Sequence, residues 1–184
     1  MKHFHLKIQG WCSFIFMYRE EVEKAKDGAV FVEIGAWKGK STAYMAVEII
    51  NSGKDIEFWT VDTFKGSDEI QHDNDPICAS GKLEEHFREN IRDVAKYVNV
   101  HVGDSSSFAS HFADNSVDFI FVDGDHTREG VTKDIKAWWP KLKVGGRMGG
   151  DDIRWKGVAA ACEDCFVEAV KITDNKKHWW MKKC

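Results

Sequence analysis

The chain has 184 residues, with 26 Lys and Arg against 30 Asp and Glu, a formal net charge of −4 with histidine neutral. At about 150 residues per domain it is long enough for one domain and its own core, and 43% hydrophobic content with 30% charged residues excludes a disordered or low-complexity chain. No dense basic run offers the clustered Lys and Arg that phosphate contacts need, so no nucleic-acid partner is expected. The apolar run 11–18 is far shorter than the roughly 20 residues that span a bilayer, so no membrane association is expected. Five cysteines, odd in number and irregularly spread, argue against a secreted disulfide scaffold and for a cytoplasmic protein. Cys162 and Cys165 lack the second ligand pair of a zinc site and read as helix cysteines.

Taken in chain order, Trp11, Phe14, Ile15, Tyr18 and Val22 recur at helical spacing and predict an amphipathic helix that stops before Gly28. The run 29–34 (AVFVEI) predicts a buried strand, followed by a glycine turn, Gly35 to Gly39, and a helix to about Ile50. A second strand is predicted over 56–61, closed by Asp62, then a long loop over 63–82 and a helix over 83–96. Strands follow at 98–102, 117–122 and 145–149, with a helix over 128–139 that Pro140 stops and another over about 156–166. The short runs 169–173 and 178–181 predict an antiparallel hairpin. Strands alternating with helices imply an α/β domain with a mostly parallel seven-stranded sheet and an antiparallel C-terminal edge. Adjacent Trp179 and Trp180 would point to opposite faces of a strand, and the outward one is compatible with a homo-oligomer contact.

The candidate site residues all fall at strand ends, where open α/β sheets bind ligands. VEIGAWKGKST joins a strand to a helix through Gly35 and Gly39, whose freedom allows a tight turn and close approach. This turn is neither a phosphate loop nor a dinucleotide fingerprint. Glu33 adds an acid that attracts an ammonium group. Asp62 suits the two hydroxyls of a ribose, or caps a turn. Asp104 and Ser105 could meet an adenine, or serve as a helix N-cap. The most specific feature is VDGDH (Asp123, Asp125, His126) with GGDD (Asp151, Asp152). Acids crowded at one rim repel one another unless a cation intervenes, and carboxylate oxygens suit Mg²⁺ or another hard divalent ion. Both motifs also occur as ordinary turns. Trp37 and Trp155 are further pocket candidates.

Together these motifs resemble class I S-adenosylmethionine-dependent methyltransferases, nearest to the metal-dependent sugar O-methyltransferases of the macrocin and novobiocin type. The resemblance runs over about 29–160 and implies a Rossmann-like methyltransferase fold. The chain reads as a single domain over 1–184, with 1–28 an N-terminal helical segment. The loop 63–82, which carries His72, Asp73 and Asp75, is without counterpart in that branch and reads as a substrate or lid loop. The resemblance also implies S-adenosyl-L-methionine bound by Glu33, Gly35, Trp37, Gly39, Ser41, Asp62, Asp104, Ser105 and Asp123. Asp123, Asp151 and Asp152 would hold Mg²⁺, and Asp125 would be the catalytic general base. The expected activity is methyl transfer to a small hydroxylated acceptor, a sugar or vicinal diol. Arg128 stands where that branch carries an aromatic residue. Two other readings are a metal-dependent glycosyltransferase using Asp123 and Asp125 as a DxD, and a non-catalytic methyltransferase-like binding module.

Overall fold

A computed structural model describes residues 1–66 and 74–184. Among them seven strands form one sheet: β1 (Ala29–Ile34), β2 (Ile56–Asp62), β3 (Asn99–Val102), β4 (Val117–Val122), β5 (Leu142–Gly150), β6 (Lys171–Ile172) and β7 (Trp179–Lys182). The order is β3-β2-β1-β4-β5-β7-β6. Pairing is parallel from β3 through β5, and β7 is antiparallel to both β5 and β6. The sheet is thus mostly parallel with an antiparallel edge, as the alternation of elements predicts. β1 lies beside both β2 and β4, so the chain reverses its direction of winding there, and ligand crevices open at such a point.

The helices are α1 (Ile15–Lys24), α2 (Lys40–Ser52), α3 (Pro76–Ala79), α4 (Leu83–Asn90), α5 (Ser105–Phe108), α6 (Arg128–Trp138) and α7 (Lys156–Cys165). Alternation along the central strands separates two cores. Phe31, Phe58, Phe119 and Phe121 face α1 and α2, while Val32, Ile34, Ile120 and Val122 face α6 and α7. Two of the helix ends have a clear local cause. Gly53 takes a left-handed φ of +67° and closes α2, and the Thr127 hydroxyl accepts from Gly130 N at 3.1 Å to open α6. No helix among the described residues is long and apolar enough to cross a membrane.

The differences from the sequence reading are local. α1 starts at Ile15, so Trp11 stands outside the helix whose stripe its spacing matches. α4 ends at Asn90, although Ile91 and Val94 remain buried beyond it in a run of turns. The 63–82 segment contains α3, whose N-cap Asp75 accepts from Ile77 N and Cys78 N; its His72 and Asp73 lie outside the described residues. β5 is longer than expected because a register shift between Val117 and Phe119 lets it begin at Leu142. Trp179 is buried, and Trp180 on the opposite face is covered by Arg147, 4.2 Å above its ring.

Candidate active site

At the crevice β1 and β4 end side by side, with Asp123 N donating to Ile34 O at 2.8 Å. Gly35 adopts φ +88°, and a Cβ there would stand 2.0 Å from the Asp123 carbonyl oxygen, so only glycine fits. Asp62 fixes the turn that follows. Its Oδ2 accepts from Ala36 N at 2.7 Å and Trp37 N at 2.8 Å, and its Oδ1 accepts from Phe64 N at 2.7 Å. The clamp holds Trp37 at φ +44°, a left-handed conformation unfavourable to a bulky residue. The capping alternative read at Asp62 is therefore realised, whatever else its carboxylate binds. Gly39, expected at the cofactor, is packed closely against two side chains. A Cβ on it would meet Ile91 and Phe87 at 2.9 Å, and it lines neither cavity described below.

Glu33 also departs from expectation. Period-two alternation puts it on the same face as Phe31, and it is 1% exposed beneath α1 and α2. Its carboxylate accepts from the Tyr18 hydroxyl at 2.9 Å, the Thr60 hydroxyl at 2.9 Å, and the Thr42 hydroxyl. Burial raises its pKa, and the surrounding hydroxyls, Ser41 among them, oppose that rise. Glu33 ties α1, α2 and β2 to β1 and does not line the crevice. Tyr18→Phe should remove one bond to this buried carboxylate and cost about 1.5–3 kcal/mol, readable as a lower midpoint in denaturant unfolding with unchanged slope.

Two cavities adjoin at the crevice. The larger, about 600 Å³, runs over the ends of β2 and β3 and is lined by Asp62, Gly103, Asp104, Ser105, Asp125 and Lys133. Asp104 caps α5 and pairs with Lys133 at 2.8 Å, which with the Ser106 and Ser107 hydroxyls holds its carboxyl well below the usual range. The Ser105 hydroxyl is committed to Asp134. Asp125 accepts from Thr127 N at 2.7 Å and is exposed at the α6 N-terminus. The smaller cavity, about 390 Å³, is lined by Gly10, Trp11, Ser13, Lys40, Ser41, Asp151, Asp152, Arg154 and Lys177. Gly35, Trp37, Asp123, Gly124, His126 and Trp155 belong to both.

At this junction Asp123, His126 and Asp152 each offer a ligand atom, all within 4.8 Å of one another. His126 Nε2 is 3.5 Å from Asp123 Oδ1 and 3.5 Å from Asp152 Oδ2. Two donors each about 2.1 Å from one ion stand roughly 3.0–3.4 Å apart, so the two 3.5 Å separations are slightly wide and small side-chain shifts would bring the set onto a small divalent cation. Asp152 sits at φ +54°, strained backbone of the kind that collects at functional sites. Burial raises the pKa of Asp123, opposed by His126, with the charges of Asp151 and Asp152 adding to the rise. Asp151 lines the smaller cavity but turns Oδ1 to His178 Nδ1 at 2.6 Å, and His178 Nε2 lies 3.3 Å from the Ser13 hydroxyl. The expected donor set of Asp123, Asp151 and Asp152 is thus gathered with His126 in place of Asp151, and Asp125, the expected base, lines only the larger cavity. Trp11, Ser13, Arg154, Lys177 and His178 carried no sequence signal for this site.

Asp134, on the wall of the larger cavity, is held by burial at a pKa of about 6. A carboxyl whose folded pKa exceeds its unfolded one binds more protons when folded, so its contribution falls as pH rises from about 4 to about 6. Asp134→Asn, which keeps an acceptor for Ser105, should flatten that fall. At pH 8 it should gain about 1–3 kcal/mol over the parent, measured by thermal unfolding across pH 4–8.

The sheet order and the paired cavities at its winding point are those of a class I S-adenosylmethionine-dependent methyltransferase. Residues 32–153 match the family described as a methyltransferase domain, and the chain belongs to that family. Its fold is similar to that of the O-methyltransferase NovP, with TM-score 0.63 and 18% identity over 92% of this chain and 78% of that one. It is likewise similar to CalS11, a TDP-rhamnose 3′-O-methyltransferase of calicheamicin biosynthesis, with TM-score 0.61 and 15% identity over 91% and 77% of the two chains. A precorrin 8w decarboxylase of Methanobacterium thermoautotrophicum shares the fold at TM-score 0.59 and 16% identity over 97% and 95%. The fold therefore leaves the acceptor open.

Proposed function

We propose that the protein transfers the methyl group of S-adenosylmethionine to a hydroxyl of a small acceptor, assisted by a divalent cation. The observation that carries this reading is the meeting of two cavities at Gly35, Asp123 and His126, with three ligand atoms gathered there. The larger cavity takes the cofactor, with Asp62 and Asp104 at the ends of β2 and β3 on the adenosyl side. The smaller takes the acceptor. The likeness to NovP and CalS11 supports oxygen as the methylated atom.

When bound, the cofactor supplies a methyl on a sulfonium centre and the cation supplies charge that makes a neighbouring hydroxyl more acidic. The chain's own residues do the rest. Asp123, His126 and Asp152 hold the cation, and an imidazole among the donors favours Mn²⁺, Co²⁺ or Zn²⁺ beside the Mg²⁺ that carboxylates alone suggest. The bare backbone at Gly35 lets the two ligands approach each other. Asp151, a wall of the acceptor cavity oriented by His178, takes the acceptor's proton. A DxD glycosyltransferase is not favoured, because Asp125 is not among the donors gathered with Asp123.

Calorimetric titration tests the reading. S-adenosylhomocysteine should bind the purified protein, and Mn²⁺ should bind in a separate event that a chelator reverses without releasing S-adenosylhomocysteine. Absence of S-adenosylhomocysteine binding would overturn the cofactor assignment, and absence of Mn²⁺ binding would overturn the cation site.

A further inference from the structure

The smaller cavity has a rim whose chemistry the transfer itself does not use. Arg154 follows the strand-end aspartates, and its Nε and Nη2 donate to the carbonyls of Lys176 at 2.8 Å and Asn175 at 2.7 Å. Ile153 N donates to Lys177 O at 2.9 Å, and Lys177 N donates to Asn175 Oδ1 at 3.0 Å. The loop after β5 is thereby tied to the turn before β7, which fixes the Arg154 guanidinium and the Lys177 backbone on one side of the cavity. Several basic side chains elsewhere pair with acids, among them Lys38 with Asp75, Lys133 with Asp104, Arg128 with Asp164, and Arg147 with Glu20 and Glu21, while Lys40 of this cavity donates to Gly10 O at 2.8 Å. Among the described residues no carboxylate pairs with Arg154 or Lys177, although three aspartates line the same cavity.

The apolar part of the wall is equally unspent. Trp11 is 63% exposed and Trp155 42% exposed. Trp11 is stacked on Trp37, ring centroids 5.5 Å apart at 16°, and Trp155 lies 5.0 Å from the His126 ring. Exposed indoles in a concave site supply flat, rigid contact for a ring at little entropic cost. A guanidinium with donors to spare and an ammonium without an acid partner are recognition groups for a carboxylate or phosphate.

We propose that the acceptor is a hydroxylated ring compound bearing an anionic group, the ring held by Trp11 and Trp155 and the anion by Arg154 and Lys177. This rests on the smaller cavity being the acceptor's. Segregation of charge then orients the acceptor: the hydroxyls go to the Asp123 side, and the anion is excluded from it by the aspartates and drawn to the opposite rim.

The test is calorimetry on protein saturated with S-adenosylhomocysteine and Mn²⁺, comparing 3,4-dihydroxybenzoate with catechol and glucose 6-phosphate with glucose. The anionic member of at least one pair should bind about tenfold tighter than its neutral partner, the pair identifying carboxylate or phosphate as the source, and the preference should shrink as salt rises. In the Arg154→Gln/Lys177→Gln double variant it should fall to within twofold, with S-adenosylhomocysteine affinity as the check on folding. Equal affinities within both pairs, with the neutral members binding, would overturn the anion proposal and leave the methyltransferase reading standing. Binding of no ring compound while S-adenosylhomocysteine binds would overturn both the proposal and the assignment of the smaller cavity.

Discussion

Asp62→Ala should cost about 2–4 kcal/mol of stability and weaken S-adenosylhomocysteine binding by more than tenfold. The stability loss follows from three backbone N–H groups, those of Ala36, Trp37 and Phe64, that lose a charged acceptor at once. Water can reach part of the turn, which is why the cost stays below the sum for three buried bonds. The binding loss has two sources. The turn that holds Trp37 in its left-handed conformation relaxes, and the carboxylate beside the adenosyl cavity is gone. Asp62→Asn separates them, since its remaining oxygen still accepts from the turn. It should recover most of the stability and less of the affinity. Denaturant unfolding and calorimetry on the two variants read the two effects independently. If Asp62→Ala unfolds and binds like the parent, the clamp has no role.

Asp152→Ala should lower turnover by at least about 10³-fold while changing S-adenosylhomocysteine affinity only several-fold. Asp152 is one of three donors at the junction, and a cation that loses one carboxylate of two no longer has the charge and geometry that hold it. Its side chain lines the smaller cavity and not the larger, so the cofactor keeps its contacts. The strained φ of +54° at Asp152 adds a secondary expectation. Asp152→Gly relieves that strain, so it should be no less stable than the parent and equally inactive, which separates loss of the ligand from loss of the fold. Steady-state turnover with saturating cofactor and metal is the measurement. Activity within tenfold of the parent would remove Asp152 from the mechanism.

The sheet was readable because its central strands are buried on both faces. AVFVEI and VDFIFV are nearly continuous apolar runs, and such runs between helices mean a parallel sheet. The rim acids were readable for a related reason: carboxylates that close successive strands arrive at one edge. Residues one step inside the rim were harder. Glu33 lies before the last residue of β1, and alternation with Phe31 already assigns it to the α1 face, a signal that outranked the motif around it. Trp11 matched a helical stripe by spacing, yet the helix starts only at Ile15. Position in the stripe gave no hint that its ring lies on Trp37. The substitution of His126 for Asp151 among the gathered donors depends on His178, 27 residues away and on another element. Arg154 and Lys177 meet only through a tie between two loops. Such tertiary pairings leave no trace in local patterning.

On the proposed reading, a hydroxyl is methylated at the junction with the help of a cation held by Asp123, His126 and Asp152. The most direct test is to incubate the purified protein with methyl-labelled S-adenosylmethionine and the hydroxylated ring compounds named above, with Mn²⁺ or Mg²⁺ and, in parallel, with excess chelator. Label is expected on a hydroxyl oxygen of the acceptor in the presence of metal and at least a hundredfold less with chelator. Label transferred equally well with chelator, or found on carbon or nitrogen, would contradict it.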